Sequence, residues 1–368
     1  MQRKISKPLY IAALLFGSVV GAGFASGKEI LFYFARFGAY SIPFAILTVV
    51  LFCVLCYTFL SLGRIHGLKN LSETSVLLFG KFSYISELVL IFGNLVLLSS
   101  MLAGSNSLFN IMLPTLPFPL AGVITALCCL LIVLKGFKLL IKINELITPI
   151  MLVVIFYLFI TSLSNYTSFE FLTPPSGTIT ILSPLISSIL FVCGNMFFVG
   201  FVVAKYGTGC TQRDSLMGSI IAGVLLLLCI SAEAFAIFLT PESALSDMPL
   251  VYIASSRGYV FRTITLGAIF ISILTTASIM LYTVKNYIEQ FIKNKLLAAF
   301  LVIATAFMLS LLGFSNIVGW LYPVLGVFGV IFSVMAAWKM HETKKPQRTA
   351  TKLQSKPPTN TPSSTNRH

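Results

Sequence analysis

Residues 17–27 read GSVVGAGFASG and place four glycines within eleven residues of the first apolar stretch of the chain. Glycine in a helix interior costs about 1 kcal/mol relative to alanine. As one continuous helix, residues 8–36 would be about 45 Å long at 1.5 Å per residue, which exceeds the hydrocarbon core of about 30 Å. We therefore expect the first helix to be interrupted between Val20 and Lys28.

The whole chain has the composition of a protein that lies in lipid. Of its 368 residues, 57% are apolar and only 10% are charged, and the mean hydropathy is +0.96. An ordinary soluble domain carries about 25% charged residues. The composition excludes a soluble globular protein and predicts an all-α, polytopic membrane protein.

Charge-free runs locate the membrane spans, because a charged side chain at a helix centre costs roughly 2.5 to 3.5 kcal/mol. The runs 88–134 and 296–338 are each long enough for two helices of about 20 residues. Prolines divide the first run, and Gly313 and Asn316 divide the second. Ten spans are predicted near residues 8–36, 40–62, 84–112, 119–135, 143–163, 181–205, 215–239, 260–284, 296–313 and 316–338.

The basic residues give the orientation of these spans. With a cytoplasmic N-terminus, 21 of the 25 lysines and arginines lie in cytoplasmic segments, and the other four are Lys28, Arg36, Arg257 and Arg262. This asymmetry is typical of a multi-pass plasma-membrane protein with both termini in the cytoplasm. The net charge of +14 therefore indicates contact with anionic lipid headgroups and not with nucleic acid.

The two halves of the chain repeat the same pattern of spans at an offset of about 173 residues. Each half has five spans, so the two copies enter the membrane from opposite sides. Such inverted repeats are typical of secondary transporters, whose sites lie at the midplane beside interrupted helices. The predicted organisation is a cytoplasmic N-terminus (1–7), a first repeat (8–163), an extracytoplasmic connector (164–180), a second repeat (181–340) and a disordered basic cytoplasmic tail (341–368).

In the second repeat, the polar segment Cys193-Gly194-Asn195-Met196 corresponds to the glycine-rich segment of the first. We expect span 6 to be interrupted there as span 1 is. The alternative is that the glycines form small-residue faces for helix packing, as Gly17 and Gly21 would at a spacing of four.

No catalytic constellation accompanies these features. The seven cysteines fall almost wholly inside predicted spans, where a free thiol behaves as a small hydrophobe. The segment Gly21-Ala22-Gly23 begins a dinucleotide-binding pattern but lacks its last glycine and a preceding strand. We expect no enzyme activity, and no cofactor apart from Na⁺ or H⁺ as a coupling ion.

The segment from Gly17 to Ile30, followed by Phe32 and Arg36-Phe37-Gly38, resembles the opening of the YkvI-type bacterial membrane proteins. These resemble the amino acid-polyamine-organocation superfamily, with its LeuT-type fold of five plus five helices. The resemblance covers about residues 8–340, and it implies that helices 1 and 6 are interrupted around a central site.

For a sodium-coupled member of that fold, the resemblance implies one cation site between span 1 carbonyls and span 8 hydroxyls. The carbonyls would be those of Gly17 and Val20. The hydroxyls of Ser272, Thr275 and Thr276 share one helix face at their spacing. Alternatively, these hydroxyls bond the backbone of their own helix.

Proton coupling requires an ionisable group at depth. Glu233 is the most deeply placed acid, while Lys142 and Glu145 lie toward the cytoplasmic side. Some proton-coupled relatives carry a lysine in span 5, and Lys142 is the nearest match. Lys28 and Glu29 follow the predicted break and could pair or gate the site.

The exposed N–H groups at a half-helix start attract a carboxylate. No buried acid is expected in either break to bind an ammonium group. The predicted function is ion-coupled transport of a small polar solute, an amino acid or a related carboxylate or zwitterion, and the alternative is a non-transporting ligand receptor; the oligomeric state stays open. The predicted substrate contacts are Gly21, Ala22, Gly23, Phe24, Ala25, Ser26, Asn94, Gly194, Asn195 and Met196.

Overall fold

The computed structural model describes residues 7–135, 137–164 and 181–354. Within these ranges, it describes the side chains of all residues except 22, 135, 137–146, 148 and 344–354. Residues 165–180 of the predicted connector (164–180) and residues 355–368 of the predicted tail lie outside the described residues.

All of the regular secondary structure in the described residues is helical, and the predicted spans coincide with apolar helices. Six helical segments are long and apolar enough to cross a membrane, and four shorter apolar helices accompany them. The helices are α1 (Lys7–Val19), α2 (Ala22–Ala25), α3 (Lys28–Tyr33), α4 (Ser41–His66), α5 (Leu71–Phe79), α6 (Ser83–Met112), α7 (Leu120–Lys135), α8 (Phe137–Ser164), α9 (Leu182–Gly207), α10 (Gln212–Phe238), α11 (Pro249–Ser255), α12 (Tyr259–Ile288), α13 (Lys295–Ser310), α14 (Phe314–Asn316) and α15 (Tyr322–Gln354).

Polar residues between the apolar runs set where several helices begin. Thr211 and Asp214 form a reciprocal capping box at the start of α10, with both hydrogen bonds at 3.1 Å. Asn294 caps α13 by accepting from the backbone N–H of Leu296 at 3.0 Å. Such caps satisfy N–H groups that the first turn of a helix leaves without partners.

The helices pack in pairs that agree with the predicted internal repeat. Helix α1 (span 1) packs along α10 (span 7), and α9 (span 6) packs along α4 (span 2). The second pair is the counterpart of the first, because span 6 corresponds to span 1 and span 2 corresponds to span 7. In the same way, α6 packs on α13 and α12 packs on α7. The two halves differ in one contact. Helix α9 packs extensively on α15, whereas α1 has little contact with α8, its corresponding partner in the first half.

The prediction that span 6 is interrupted is wrong: α9 continues without a break from Leu182 to Gly207. Gly194 serves the close approach of α15, since a Cβ there would lie 3.3 Å from the Cα of Gly326. Beside it, a Cβ on Gly329 would overlap the backbone carbonyl of Cys193. Gly194 therefore allows two helices to pack closely, which is the alternative interpretation of the glycines.

The predicted start of the disordered tail at residue 341 is also wrong. Helix α15 continues to Gln354, well past the end of its apolar part. An ion pair joins Lys339 to Glu342 at 2.9 Å one turn apart, and His66 of α4 contacts the hydroxyl of Thr343 at 3.3 Å. Charged residues that favour helix extend α15 beyond the span.

Candidate functional site

Span 1 is interrupted at Val20 and Gly21, between α1 and α2. The N–H of Gly21 donates to the carbonyl of Val19 at 2.9 Å, and the next bond across the break runs from Ala25 N–H to the carbonyl of Gly21 at 2.9 Å. The carbonyl of Gly17 thereby loses the partner that a continuous helix supplies. The predicted interruption of span 1 is confirmed, and it leaves main-chain groups for another partner.

The side chains that follow the break belong to the packed interior. Those of Phe24, Ala25 and Ser26 have no exposed surface. The Ser26 hydroxyl donates to the carbonyl of Gly23 at 2.8 Å. Gly21 is only half-buried, so this segment offers backbone rather than side-chain groups to a ligand.

Helix α12 faces the break through Thr276. A Cβ on Gly21 would lie 3.7 Å from the Oγ1 of Thr276, an ordinary contact distance. The neighbouring Thr275 donates its hydroxyl to the carbonyl of Ser272 at 3.0 Å, and both residues are buried. Of the predicted hydroxyl groups, Thr276 is thus beside the break, whereas Thr275 bonds its own helix.

The two predicted asparagines lie on two helices that contact each other, Asn94 on α6 and Asn195 on α9. Asn94 donates to the carbonyl of Leu90 at 2.7 Å, and Asn195 donates to the carbonyl of Phe191 at 2.9 Å. Each amide nitrogen therefore bonds the preceding turn of its own helix, which leaves the side-chain oxygen as an acceptor. Met196 is fully buried.

Glu29 of α3 folds back onto the break. Its carboxyl group lies against Gly23 so closely that a Cβ on this glycine would overlap the carboxyl oxygen. A partly accessible acid therefore stands beside the predicted break, where no buried acid was expected. The sequence places Glu29 just after the predicted break but six residues from Gly23 along the chain, and the turn at Gly27, with φ of 79°, brings its carboxyl group back to this glycine.

Glu233 of α10 lies close to Glu29. The Glu233 side chain is fully buried, and neither of its carboxyl oxygens has a hydrogen-bond partner. The two carboxyl groups are near enough for their charges to interact. Tyr33 and Tyr322 stand beside Glu29, and the Tyr322 hydroxyl donates to the Ser100 hydroxyl at 3.0 Å.

The connector between α10 and α12, which contains α11, covers this site from one side. The backbone N–H of Leu250 donates to the carbonyl of Ser26 at 3.1 Å. Asp247 accepts hydrogen bonds from Ser107 at the end of α6, at 2.9 Å, and from Ser315 in α14. These bonds tie the connector to span 1, to α6 and to α14, and they close the site on that side.

The space beneath α11 is narrow. A crevice of about 140 Å³ there is too thin to admit a water molecule. It is lined by Ser100, Met101, Gly104, Met248, Ile273 and Phe314. The structure thus represents a form that is closed on the α11 side.

No pattern in the sequence indicated Asp247, Ser107 or Ser315. Asp247 stands in a loop with other polar residues, and only its contacts with α6 and α14 distinguish it from Glu242, an exposed acid of the same loop. The side chains of Ala22, Lys142 and Glu145 lie outside the described residues. Within the described part of the chain, no group of three or more His, Cys, Asp or Glu residues could hold a metal ion.

The chain is similar to known membrane proteins in both sequence and structure. No family model matches it. It is 24% identical over 344 residues to YkvI, an uncharacterised membrane protein of Bacillus subtilis strain 168, covering 90% of this chain and 96% of that protein.

Its fold matches that of a manganese transporter from Eremococcus coleocola at 13% identity. Two mutant forms of that transporter give TM-scores of 0.59 and 0.60, with 97% of this chain and 91% of the transporter covered. Its complex with an aromatic bis-isothiourea substituted compound gives 0.56, with 96% and 88% covered. The chain is therefore a homologue of YkvI and an all-α, multi-pass membrane protein with a LeuT-like fold.

Proposed function

We propose that the chain is an ion-coupled secondary transporter of a small polar solute, an amino acid or a related carboxylate or zwitterion. The break at Val20 and Gly21 is the observation that carries this proposal. Within a span of apolar residues, unpaired backbone groups are tolerated only where protein, water or a ligand satisfies them. The LeuT-like fold, shared with a transporter, supports the same conclusion.

The substrate contacts follow from the chemistry of the groups around the break. The first N–H groups of α2 attract a carboxylate, because a helix start leaves them without partners. The Thr276 hydroxyl faces the same break from α12. The side-chain oxygens of Asn94 and Asn195 are acceptors for an ammonium group. Together these groups suit both ends of a small zwitterion.

Transport proceeds by alternating access between two five-span halves of opposite orientation, with both termini in the cytoplasm. The paired packing of α1 with α10 and of α4 with α9 supports the repeat. Because α11 closes one side, the opposite side must open next for the solute to leave. The basic cytoplasmic segments contact anionic lipid headgroups.

Counterflow into proteoliposomes tests transport without knowledge of the coupling ion. Vesicles loaded with a mixture of unlabelled amino acids should take up at least one labelled amino acid. The Gly23→Leu variant should lose this uptake, because its side chain would occupy the space of Glu29. Gly267→Leu is the matched control, since a Cβ at Gly267 has no neighbour within 4 Å. Binding without counterflow would support the receptor alternative instead.

A further inference from the structure

Glu233 is a buried acid, and the helices packed around it do not account for a carboxyl group at this position. It has no exposed surface, and both of its oxygens lack hydrogen-bond partners. An ionised carboxylate in such surroundings is strongly unfavourable unless it is paired. Buried polar groups in native proteins nearly always have partners, so Glu233 needs one that the protein side chains do not supply.

Glu29 is the acidic neighbour of Glu233. It lies on α3, which packs against α10, and its carboxyl group rests against Gly23 of α2, two residues after the break of span 1. Unlike Glu233, Glu29 is partly accessible. The pair therefore joins a fully buried residue to one that is partly accessible.

Among the described side chains, the basic groups near this pair are engaged elsewhere. Lys28 donates to the carbonyl of Ser246 at 2.9 Å and faces Asp247. Arg36 stacks on the Phe32 ring at 4.1 Å. No cation among these side chains therefore neutralises the two carboxyl groups.

The remaining titratable groups around the pair are neutral side chains. Tyr33 of α3 and Tyr322 of α15 interact with Glu29, and Cys229 lies one turn before Glu233 on α10. Tyr322 uses its hydroxyl hydrogen on Ser100. None of these groups supplies a positive charge.

We propose that Glu29 and Glu233 form a shared site for one exchangeable proton and that this proton is the coupling ion of transport, a role that rests on the proposed function. Two neighbouring carboxyl groups in apolar surroundings cannot both ionise, so one proton bound between them removes the repulsion. The proton leaves when the O–H bond of one carboxyl breaks and a water molecule accepts it, which leaves a carboxylate behind.

The break of span 1 explains how the site could exchange its proton during transport. Helix α3 is joined to α1 through the interruption at Gly21 and the turn at Gly27, so it can move relative to α10. Release of α3 from the α11 connector would separate Glu29 from Glu233 and admit water to the pair. Proton release is thereby linked to opening of the site.

Infrared spectroscopy of the purified full-length protein tests the proton site without a substrate. The wild type at neutral pH should show the C=O stretching band of a protonated carboxyl group. Glu233→Gln should abolish this band and Glu29→Gln should shift it, while Glu242→Gln should leave it unchanged. Glu242 is the matched control, because it is an exposed acid on the α11 connector. Thermal unfolding of each variant checks that it is folded.

Two infrared results would overturn the proton site. One is a spectrum of Glu233→Gln that retains the band of the wild type. The other is loss of the band when sodium replaces choline at constant pH, which would identify a metal-cation site.

Transport assays distinguish a failure of the coupling role from a failure of the proposed function. Glu233→Gln should retain amino-acid counterflow but lose accumulation driven by a pH gradient. Undiminished accumulation by this variant would overturn the coupling proposal and leave the transporter assignment intact. Absence of all flux in the wild type would overturn the proposed function and the coupling role, while the infrared band would still decide whether the pair binds a proton.

Discussion

The ammonium group of Lys28 donates a 2.9 Å hydrogen bond to the backbone carbonyl of Ser246. This bond joins α3, which follows the break in span 1, to the connector that contains α11. It acts beside the backbone bond from Leu250 to Ser26, so two contacts hold the same pair of segments together. Opening of the site on this side must break both.

Replacing Lys28 by methionine should loosen the connector while keeping most of the apolar stem of the side chain. Loss of one partly exposed, charged hydrogen bond is worth about 1 kcal/mol, or roughly a fivefold change in the opening equilibrium. Hydrogen–deuterium exchange of residues 241–255 should accelerate by that factor. Lys69→Met, at an exposed lysine on another loop, is the control. Unchanged exchange in Lys28→Met would show that the bond does not hold the connector.

The contact between Gly23 and Glu29 predicts that their substitutions are not independent. Gly23→Ala should lower stability by about 1 to 2 kcal/mol, because the new methyl group overlaps the Glu29 carboxyl. In a Glu29→Ala background, the same change should cost less than half as much, since the overlapping group is gone. Thermal unfolding in detergent measures both effects. Equal costs in the two backgrounds would mean that Glu29 does not rest on Gly23.

Much of the helical architecture could be predicted from where the charges are absent. Charge-free runs of sufficient length must lie in lipid or in the core, and each coincides with an apolar helix in the structure. The break in span 1 was also predictable, because glycines concentrate in a segment too long for one crossing. Both signals are local in sequence, which is why they were informative.

What the sequence did not predict depends on contacts between residues that are far apart along the chain. Gly194 and Gly21 look alike in sequence, but Gly194 faces Gly326 of α15, and this partner decides its role. Glu233 and Glu29 could each be identified as unusual acids. That they form a pair depends on the packing of α3 against α10, which neither segment encodes alone.

The glycines between α9 and α15 should be more sensitive to substitution than those around the break. In Gly329→Ala, the methyl group would overlap the backbone carbonyl of Cys193, which cannot move as a side chain can. We expect a loss of about 2 kcal/mol. Gly267→Ala should be neutral or slightly stabilising, because its Cβ meets open space and alanine favours helix. Thermal unfolding midpoints that fall equally for the two variants would contradict this account of the interface.

Thr276 should contribute directly to ligand binding, because it is the α12 hydroxyl that faces the break. Thr276→Val keeps the shape of the side chain and removes one hydrogen bond, so the affinity for the transported amino acid should fall about tenfold. Thr276→Ser should restore most of it. Thr283→Val is the control, because its hydroxyl donates to the carbonyl of Ile279 on the same helix, away from the break. The affinities are to be measured by ligand-induced thermal shifts in sodium and in choline media. A loss confined to sodium medium would assign Thr276 to a sodium ion, whereas an equal loss in both media places its hydroxyl on the solute.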